Sequence, residues 1–297
     1  MPAVKKENAL KAFIVSLFFP VFYWLLIQAV PFVVGIVYGI SYAMGHAQEV
    51  KANTQELAQN ITKMMNDNAL FFTLIAVVIF FLSSFFILRG KHQKFLRRIQ
   101  FNPVPGRIYA LVAVLGAAQG FAGGLFSFIL PKSWIDAYVN MVTSQFEARG
   151  LVMAILVTGL IVPIAEETAF RGLMMTRLQG RMAAWLVVAL PALAFTAAHA
   201  AGSVAQAIAV VPTAVILGLT FWWTKSIRAT ILIHIVNNVL SSLIGMVPAL
   251  STFDVNSTSP LNLIVSLFGL AVTVAALVLL YRRRQKGAAG PLPEVCI

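Results

Sequence analysis

The sequence predicts an all-α integral membrane protein with about eight transmembrane helices. Of its 297 residues, 60% are hydrophobic and only 11% are Asp, Glu, Lys or Arg, compared with about 45–50% and about 25% in an average soluble domain. So few charges cannot cover a water-soluble protein of this size, and the apolar excess also excludes a disordered chain. The single cysteine, Cys296, excludes a disulfide framework and a cysteine-rich metal site.

Eight apolar stretches are long enough to cross a bilayer, because about 20 residues span about 30 Å of hydrocarbon. The first stretch, 12–44, is too long for one straight span and contains Pro20 and Pro31. We expect one long helix there, tilted or kinked, or a break into two pieces. The polar stretch 45–68 is predicted to be an amphipathic external loop on the membrane surface. The predicted spans are 12–44, 69–88, 108–130, 151–176, 182–201, 204–224, 229–247 and 261–281.

The distribution of basic residues predicts the orientation. With the amino terminus inside, seventeen Lys and Arg side chains fall on the cytoplasmic side and four on the opposite side, while Arg171 lies within a span. This positive-inside asymmetry places both termini in the cytoplasm. It also accounts for the net charge of +12 without a nucleic-acid partner. The length and the brief loops indicate a bacterial plasma membrane protein.

Three charged residues break the apolar pattern of the fourth span. Glu166, Glu167 and Arg171 lie within six positions, and each charge at the bilayer centre costs from about 2.5 to over 10 kcal/mol. They must therefore face the protein interior or a wet cavity. Arg171 is four residues after Glu167, which favours an ion pair between them and leaves Glu166 to face a cavity. An ion pair that only joins helices is the alternative, but it does not explain the second glutamate.

Two histidines lie in later spans, His199 in the fifth and His234 in the seventh. Phe195 precedes the first by four residues and Asn238 follows the second by four, so each pair shares a helix face. Singly, such polar residues are often hydrogen-bonding contacts between helices. Together with the glutamates they predict a catalytic or metal-binding set between helices four, five and seven.

These motifs carry a resemblance to a known family. E-E-x-x-x-R at 166–171, F-x-x-x-H at 195–199 and H-x-x-x-N at 234–238 occur in order, each inside a span. They resemble the signature of the CAAX-protease and bacteriocin-processing family of intramembrane endopeptidases, which includes the type II CAAX prenyl proteases. The resemblance covers about 150–245. We therefore divide the chain into amino-terminal helices without a motif, a CAAX-protease-like catalytic core, and a last helix with a cytoplasmic tail, at 1–145, 146–250 and 251–297.

The resemblance implies an intramembrane endopeptidase that cuts a membrane-associated or lipidated peptide or protein. Glu166 would be the general base, with His199 helping to position a water molecule. His234 and Asn238 would polarise the scissile carbonyl and stabilise the oxyanion. We expect this site in the cytoplasmic half of the bilayer. The supporting residues would be Glu167, Arg171 and Phe195.

The sequence leaves a metal open. Glu166, His199 and His234 could supply three zinc ligands with water as the fourth, although the H-E-x-x-H motif of zinc proteases is absent. A glutamate mechanism uses the same residues, and we favour it without an obligatory metal.

Two other functions are compatible with the sequence. One is a non-catalytic bacteriocin-immunity or scaffold protein that keeps the fold, which the intact motifs argue against. The other is a proton- or cation-coupled transporter, for which we expect a repeat or paired broken helices. The sequence shows neither of these features.

Overall fold

The computed structural model describes residues 8–47, 54–89, 94–147, 150–200, 202–246 and 257–284. These ranges are helical and contain no strand, which confirms the all-α prediction. The helices are α1 (Ala9–Ser16), α2 (Phe18–Gly45), α3 (Thr54–Leu88), α4 (Phe95–Arg98), α5 (Gly106–Ala122), α6 (Lys132–Glu147), α7 (Gly150–Leu178), α8 (Ala184–Ala200), α9 (Val204–Thr224), α10 (Ile227–Met246) and α11 (Pro260–Arg282).

Within the ranges that the structure describes, seven helical segments are long and apolar enough to cross a membrane. The eighth apolar helix, α8, has only 17 residues, or about 25 Å at 1.5 Å per residue. It begins after a turn at Gly180, whose φ is +73°, and α9 begins soon after its end. Ser203 caps α9 by accepting a hydrogen bond from the Gln206 backbone N–H. The seven segments are Ala9–Gly45, Thr54–Leu88, Gly106–Phe128, Gly150–Leu178, Val204–Thr224, Ile227–Ile244 and Pro260–Arg282.

The first apolar stretch forms one helical path. α1 and α2 meet at Leu17, which keeps helical dihedral angles of −68° and −19°. The backbone bonds continue through it, from Leu17 N–H to Phe13 and from Val21 N–H to Leu17. The expected long helix is therefore present, and Pro31 lies inside it.

The expectation of a surface loop at 45–68 is wrong for the part that the structure describes after residue 53. Thr54 begins α3, which continues without a break to Leu88. The apolar residues Ile61 and Met65 pack on Gly39 and Gly35 of α2. This amphipathic face therefore covers a neighbouring helix instead of lipid. Residues 48–53 lie outside the described ranges.

The central helix of the described structure is α7. It contacts α2, α3, α8 and α10, and the surrounding core contains buried aromatic side chains, namely Phe80, Phe170, Phe195 and Phe221. α10 approaches α5 closely, because a Cβ at Gly116 would lie 2.6 Å from the Ile233 carbonyl oxygen. Small residues permit such close packing in membranes. This contact fixes the position of α10 next to His234.

The turn between α9 and α10 is anchored by the segment before α5. Ile227 donates its N–H to the Gln100 carbonyl, and the Asn102 side chain donates to the Lys225 carbonyl. The Lys225 ammonium lies 3.7 Å from the centre of the Trp222 ring. Burial lowers the pKa of Lys225 to about 8. The segment before α5 therefore holds the start of α10 in position.

Candidate active site

The backbone of α7 is irregular on both sides of the two glutamates. Ile155–Ile161 and Thr168–Met175 are π-helical, with an ordinary helical turn at Val162–Glu167 between them. Single π turns within α-helices are frequent at functional sites. A wider turn changes the angle between successive side chains. Glu166 and Glu167 themselves lie at the end of the ordinary turn, so their side chains point about 100° apart.

Glu167 lies in a sealed pocket. Both Glu167 and Arg171 are fully buried, and Arg171 Nη1 donates to Glu167 Oε1 at 2.9 Å. Arg171 Nη2 donates to the Ala214 carbonyl at 2.9 Å, and its guanidinium lies 4.8 Å from the centre of the Phe195 ring. His234 Nδ1 reaches the same Glu167 oxygen at 3.0 Å. The predicted Glu167–Arg171 pair is therefore present and is extended by a histidine.

Glu166 lies on the open side of the same turn. Its Oε2 is 3.6 Å from His234 Nε2 and its Oε1 is 3.9 Å from His199 Nε2. Both distances exceed a hydrogen bond. The residue is 9% exposed and the His199 side chain 19% exposed, whereas Glu167 has no exposed surface. The Glu166 carboxylate thus faces two imidazoles across two gaps and keeps a small solvent-accessible surface.

The tautomer of each histidine follows from its second nitrogen. His199 Nδ1 lies 2.8 Å from the Phe195 carbonyl, which can only accept, so this nitrogen carries hydrogen. When His199 is neutral, its Nε2 therefore has a free lone pair toward Glu166. His234 Nδ1 carries hydrogen for the same reason, because its partner is the Glu167 carboxylate. Both rings are oriented by a backbone or carboxylate acceptor and present Nε2 to Glu166.

Asn238 is held by a carbonyl that the π geometry leaves free. Val162 donates its N–H five residues back, to the Val157 carbonyl. The next bond of that pattern would run from residue 163 to Thr158, but Pro163 has no N–H. Asn238 Nδ2 donates to the Thr158 carbonyl instead, at 3.0 Å. One of its two N–H groups is thereby used to join α10 to α7.

The close packing of α7 explains the glycine that follows Arg171. A Cβ at Gly172 would lie 2.9 Å from Ile99 Cβ and 3.0 Å from Ile227 Cδ1. No side chain fits there without movement. Gly172 therefore lets α7 pack against the start of α10, the helix that carries His234.

The structure brings most of the predicted residues together. Glu166, His199 and His234 meet across the open gap, and the three supporting residues lie on the sealed side, namely Glu167, Arg171 and Phe195. Asn238 lies one turn after His234 on α10 and is bonded to α7. Two backbone acceptors at the site, Thr158 and Ala214, are not indicated by the motifs in the sequence. Pro163 was a signal for the first, because a proline inside a helix leaves a carbonyl without its usual donor.

Glu166 and His199 lie at similar distances from the turn that joins α7 to α8. His199 is 15 residues after the start of α8 and Glu166 is 12 before the end of α7. These intervals correspond to about 22 and about 18 Å. The residues between Leu178 and Ala184 form a turn, so they do not add to the depth of His199.

The donor atoms of the open gap lie slightly farther apart than the ligands of a bound zinc ion. Among the described residues, no group of three or more His, Cys, Asp and Glu side chains has the geometry to hold one. Tetrahedral ligands at about 2.1 Å from zinc lie about 3.4 Å from each other. The gaps of 3.6 and 3.9 Å from Glu166 to His234 and His199 are wider.

A family comparison matches the part of the chain that carries this site. Residues 148–240 match the family described as type II CAAX prenyl endopeptidase, Rce1-like. This segment is similar to the CAAX-protease family. The match covers about a third of the chain and includes all of the residues placed around Glu166 and Glu167. No curated protein and no solved structure matches the chain. At the level of the family, the CAAX-protease segment supports an intramembrane endopeptidase.

Proposed function

We propose that this protein hydrolyses a peptide bond in a membrane-associated or lipidated peptide, with Glu166 as the general base. The observation that carries the proposal is the contrast between two adjacent carboxylates. Glu167 accepts hydrogen bonds from Arg171 and His234, whereas Glu166 has no hydrogen-bond partner among the described residues and faces two imidazole nitrogens. A carboxylate without such a partner, in a gap with access to water, can take a proton from a water molecule.

The first step uses the gap between Glu166 and His199. A water molecule there donates one hydrogen to the free Nε2 lone pair of His199 and the other to the Glu166 carboxylate. Its oxygen attacks the scissile carbonyl carbon while Glu166 takes the proton. A tetrahedral oxyanion and a protonated Glu166 result.

The second step needs a donor for the oxyanion and a proton for the leaving group. His234 can donate through Nε2 when both its nitrogens are protonated, and Glu167 compensates that positive charge at Nδ1. Asn238 has one N–H beyond the one given to Thr158 and supplies the second donor. As the carbon–nitrogen bond breaks, the leaving amine takes the proton from Glu166. The carboxylate is then restored.

We also propose how the site lies in the membrane. His234 is seven residues into α10, about 10 Å by helical rise, from the turn that holds Lys225 and Arg228. From the basic asymmetry we infer that this turn and both termini are cytoplasmic. The peptide would enter from that side of a bacterial plasma membrane. Its partners would be this substrate and the lipid bilayer.

The test compares protein termini in membranes of cells that express the wild type, Glu166→Gln or Asp67→Asn. Asp67 is an exposed carboxylate on α3, paired with Lys63, and serves as the matched loss of a negative charge. We expect termini made by the wild type and by Asp67→Asn but not by Glu166→Gln. Identical termini from all three folded proteins would contradict the peptidase and favour an immunity or scaffold protein.

A further inference from the structure

One carboxylate oxygen of Glu167 is not satisfied within the sealed pocket. Arg171 Nη1 and His234 Nδ1 both donate to Oε1, at 2.9 and 3.0 Å. Oε2 is buried and has no hydrogen-bond partner among the described residues. A buried acceptor without a donor is unfavourable, and such atoms are rare in native proteins. The pocket therefore needs a further donor beside this oxygen.

A hydroxyl on α10 lies in the right place to be this donor. Thr230 is one turn before His234 on α10, so the two side chains share a helix face. Thr230 is fully buried, and its hydroxyl lies beside the Glu167 carboxylate. The hydrogen bond that the hydroxyl makes in this arrangement runs to the Ile227 carbonyl, at 3.0 Å. Thr230 is thus a donor next to the unsatisfied oxygen that is bonded elsewhere.

The Ile227 carbonyl does not need the hydrogen of Thr230. Ile227 is the first residue of α10, so its carbonyl accepts the backbone N–H of Ile231 in the ordinary helical pattern. The Thr230 hydroxyl is therefore a second donor to an oxygen that already has one. A hydroxyl carries a single hydrogen that rotates between acceptors. A small movement of this side chain would leave the carbonyl satisfied and would pair Glu167 Oε2.

Glu167 in turn orients His234, which joins the sealed and the open side of the site. His234 Nδ1 bonds to Glu167, and its Nε2 faces Glu166 at 3.6 Å. A carboxylate that is held through one oxygen can turn about that contact, whereas one held at both oxygens keeps its plane. Contacts of this outer kind fix the groups that bind or react. We propose that Thr230 is a positioning residue, whose hydroxyl donates to Glu167 Oε2 and holds Glu167 in line with His234.

The effect on rate rests on the proposed function, and kinetics test it. Thr230→Val keeps the shape of the side chain and removes the hydroxyl, whereas Thr230→Ser keeps the hydroxyl. We expect Thr230→Val to lower kcat about 10-fold with KM within about twofold, the lower end for loss of such an outer contact. Thr230→Ser should recover most of kcat.

A second buried threonine provides the matched control. Thr224 on α9 donates its hydroxyl to the Thr220 carbonyl at 2.7 Å, a bond of the same kind as that from Thr230 to Ile227. Thr224→Val should keep the wild-type kcat. An equal fall in kcat for both valine variants, or a kcat for Thr230→Val within about twofold of wild type, would overturn the positioning role.

Nuclear magnetic resonance tests the contact without any cleavage. In protein labelled with ¹⁵N-histidine, the signal lost in His234→Gln identifies the Nδ1–H of His234, which is 3% exposed. We expect Thr230→Val to shift this signal, and Thr230→Ser and Thr224→Val to leave it near its wild-type position. Thr230→Ala replaces Thr230→Val if the valine variant is poorly folded.

The two measurements separate this inference from the proposed function. An unmoved Nδ1–H signal in a folded variant without the Thr230 hydroxyl would overturn the contact with Glu167. If the signal shifts but the wild type cleaves no peptide, the contact stands and the proposed function fails.

Discussion

Two faces of a single turn of α7 hold their carboxylates in opposite ways. On the sealed face, Glu167 is shared by Arg171 and His234 at 2.9 and 3.0 Å and has no exposed surface. On the open face, Glu166 is separated from His199 and His234 by gaps that are too wide for a hydrogen bond. The two residues are adjacent in the chain, so the difference comes from their directions on the helix.

This contrast shows how a membrane protein can hold a reactive carboxylate. A negative charge in the bilayer needs a compensating partner, and Glu167 has two such partners. His234 links the two faces, because its Nδ1 bonds to Glu167 and its Nε2 faces Glu166. The sealed face therefore fixes the histidine that the open face uses. We expect changes on the sealed face to affect stability and changes on the open face to affect rate.

The largest effect is expected on the open face, from Glu166→Gln. The amide cannot take a proton from water, so cleavage of the peptide found in the terminal comparison should slow by about 10⁴-fold, the upper end of a general-base contribution. The rate is measured with purified protein in proteoliposomes under single-turnover conditions. The unfolding midpoint should stay close to wild type, because the carboxylate has no hydrogen-bond partner to lose within the described residues. A rate within tenfold of wild type would contradict the assignment of Glu166 as the base.

Glu167→Gln should have the next largest effect, and on stability. Gln still fits the space but leaves the Arg171 charge buried and uncompensated, which costs about 3–5 kcal/mol when one partner of a buried pair is removed. Unfolding by denaturing detergent, followed by circular dichroism, measures this loss. Glu166→Gln is the matched control and should lose less than about 1 kcal/mol on the same scale, as for a change without a lost contact.

A second substitution sharpens this result. Combining Glu167→Gln with Arg171→Met removes both buried charges, and replacing a whole buried pair with apolar groups is often close to neutral. The double variant should therefore recover part of the lost stability. The recovery is incomplete because His234 still loses its acceptor. If the double variant were less stable than Glu167→Gln alone, charge compensation would not be the reason for the pair.

The sequence is sufficient to predict the charges of this turn but not the shape of the helix around them. The spacing of four residues between Glu167 and Arg171 predicted their ion pair, because residues four apart lie on one helix face. No periodicity in the sequence indicates the two π-helical stretches, although Pro163 lies just after the first of them. The bond from Asn238 to Thr158 follows from that irregular backbone. It therefore could not be predicted from the spacing of the motif.

The spans show a similar limit. Hydrophobicity predicts which segments are apolar, but the ends of helices depend on partners. The stretch 54–68 is polar enough to be a loop, yet it is helical because Ile61 and Met65 pack on two glycines of α2. α8 has the composition of a span but is shortened by the turns at both its ends. Composition does not determine these ends, because they result from contacts between helices distant in the sequence.

Asn238→Ala is expected to have a smaller effect on the cleavage rate. It also shows whether Asn238 acts in catalysis or only in packing. As a donor to the oxyanion it should lower kcat by about 100-fold with little change in KM, the lower end for removing such a donor. As a link to Thr158 alone, it should cost only about 0.6–1.7 kcal/mol of stability. Ser242→Ala is the control, because Ser242 bonds to the Asn238 carbonyl one turn further along. An equal fall in kcat for both variants would assign Asn238 to packing alone.

The smallest effect is expected from chelation. The open face would need to contract for Glu166, His199 and His234 to bind a zinc ion, since its gaps of 3.6 and 3.9 Å exceed the spacing of about 3.4 Å between tetrahedral ligands. We therefore expect the cleavage rate to change by less than about twofold after dialysis against EDTA and 1,10-phenanthroline. A cleavage rate that is lost on chelation and restored by zinc would contradict the claim that Glu166 acts without a compensating partner. The open carboxylate would then be compensated by a metal ion, as Glu167 is compensated by Arg171, and both faces would hold their charge by the same principle.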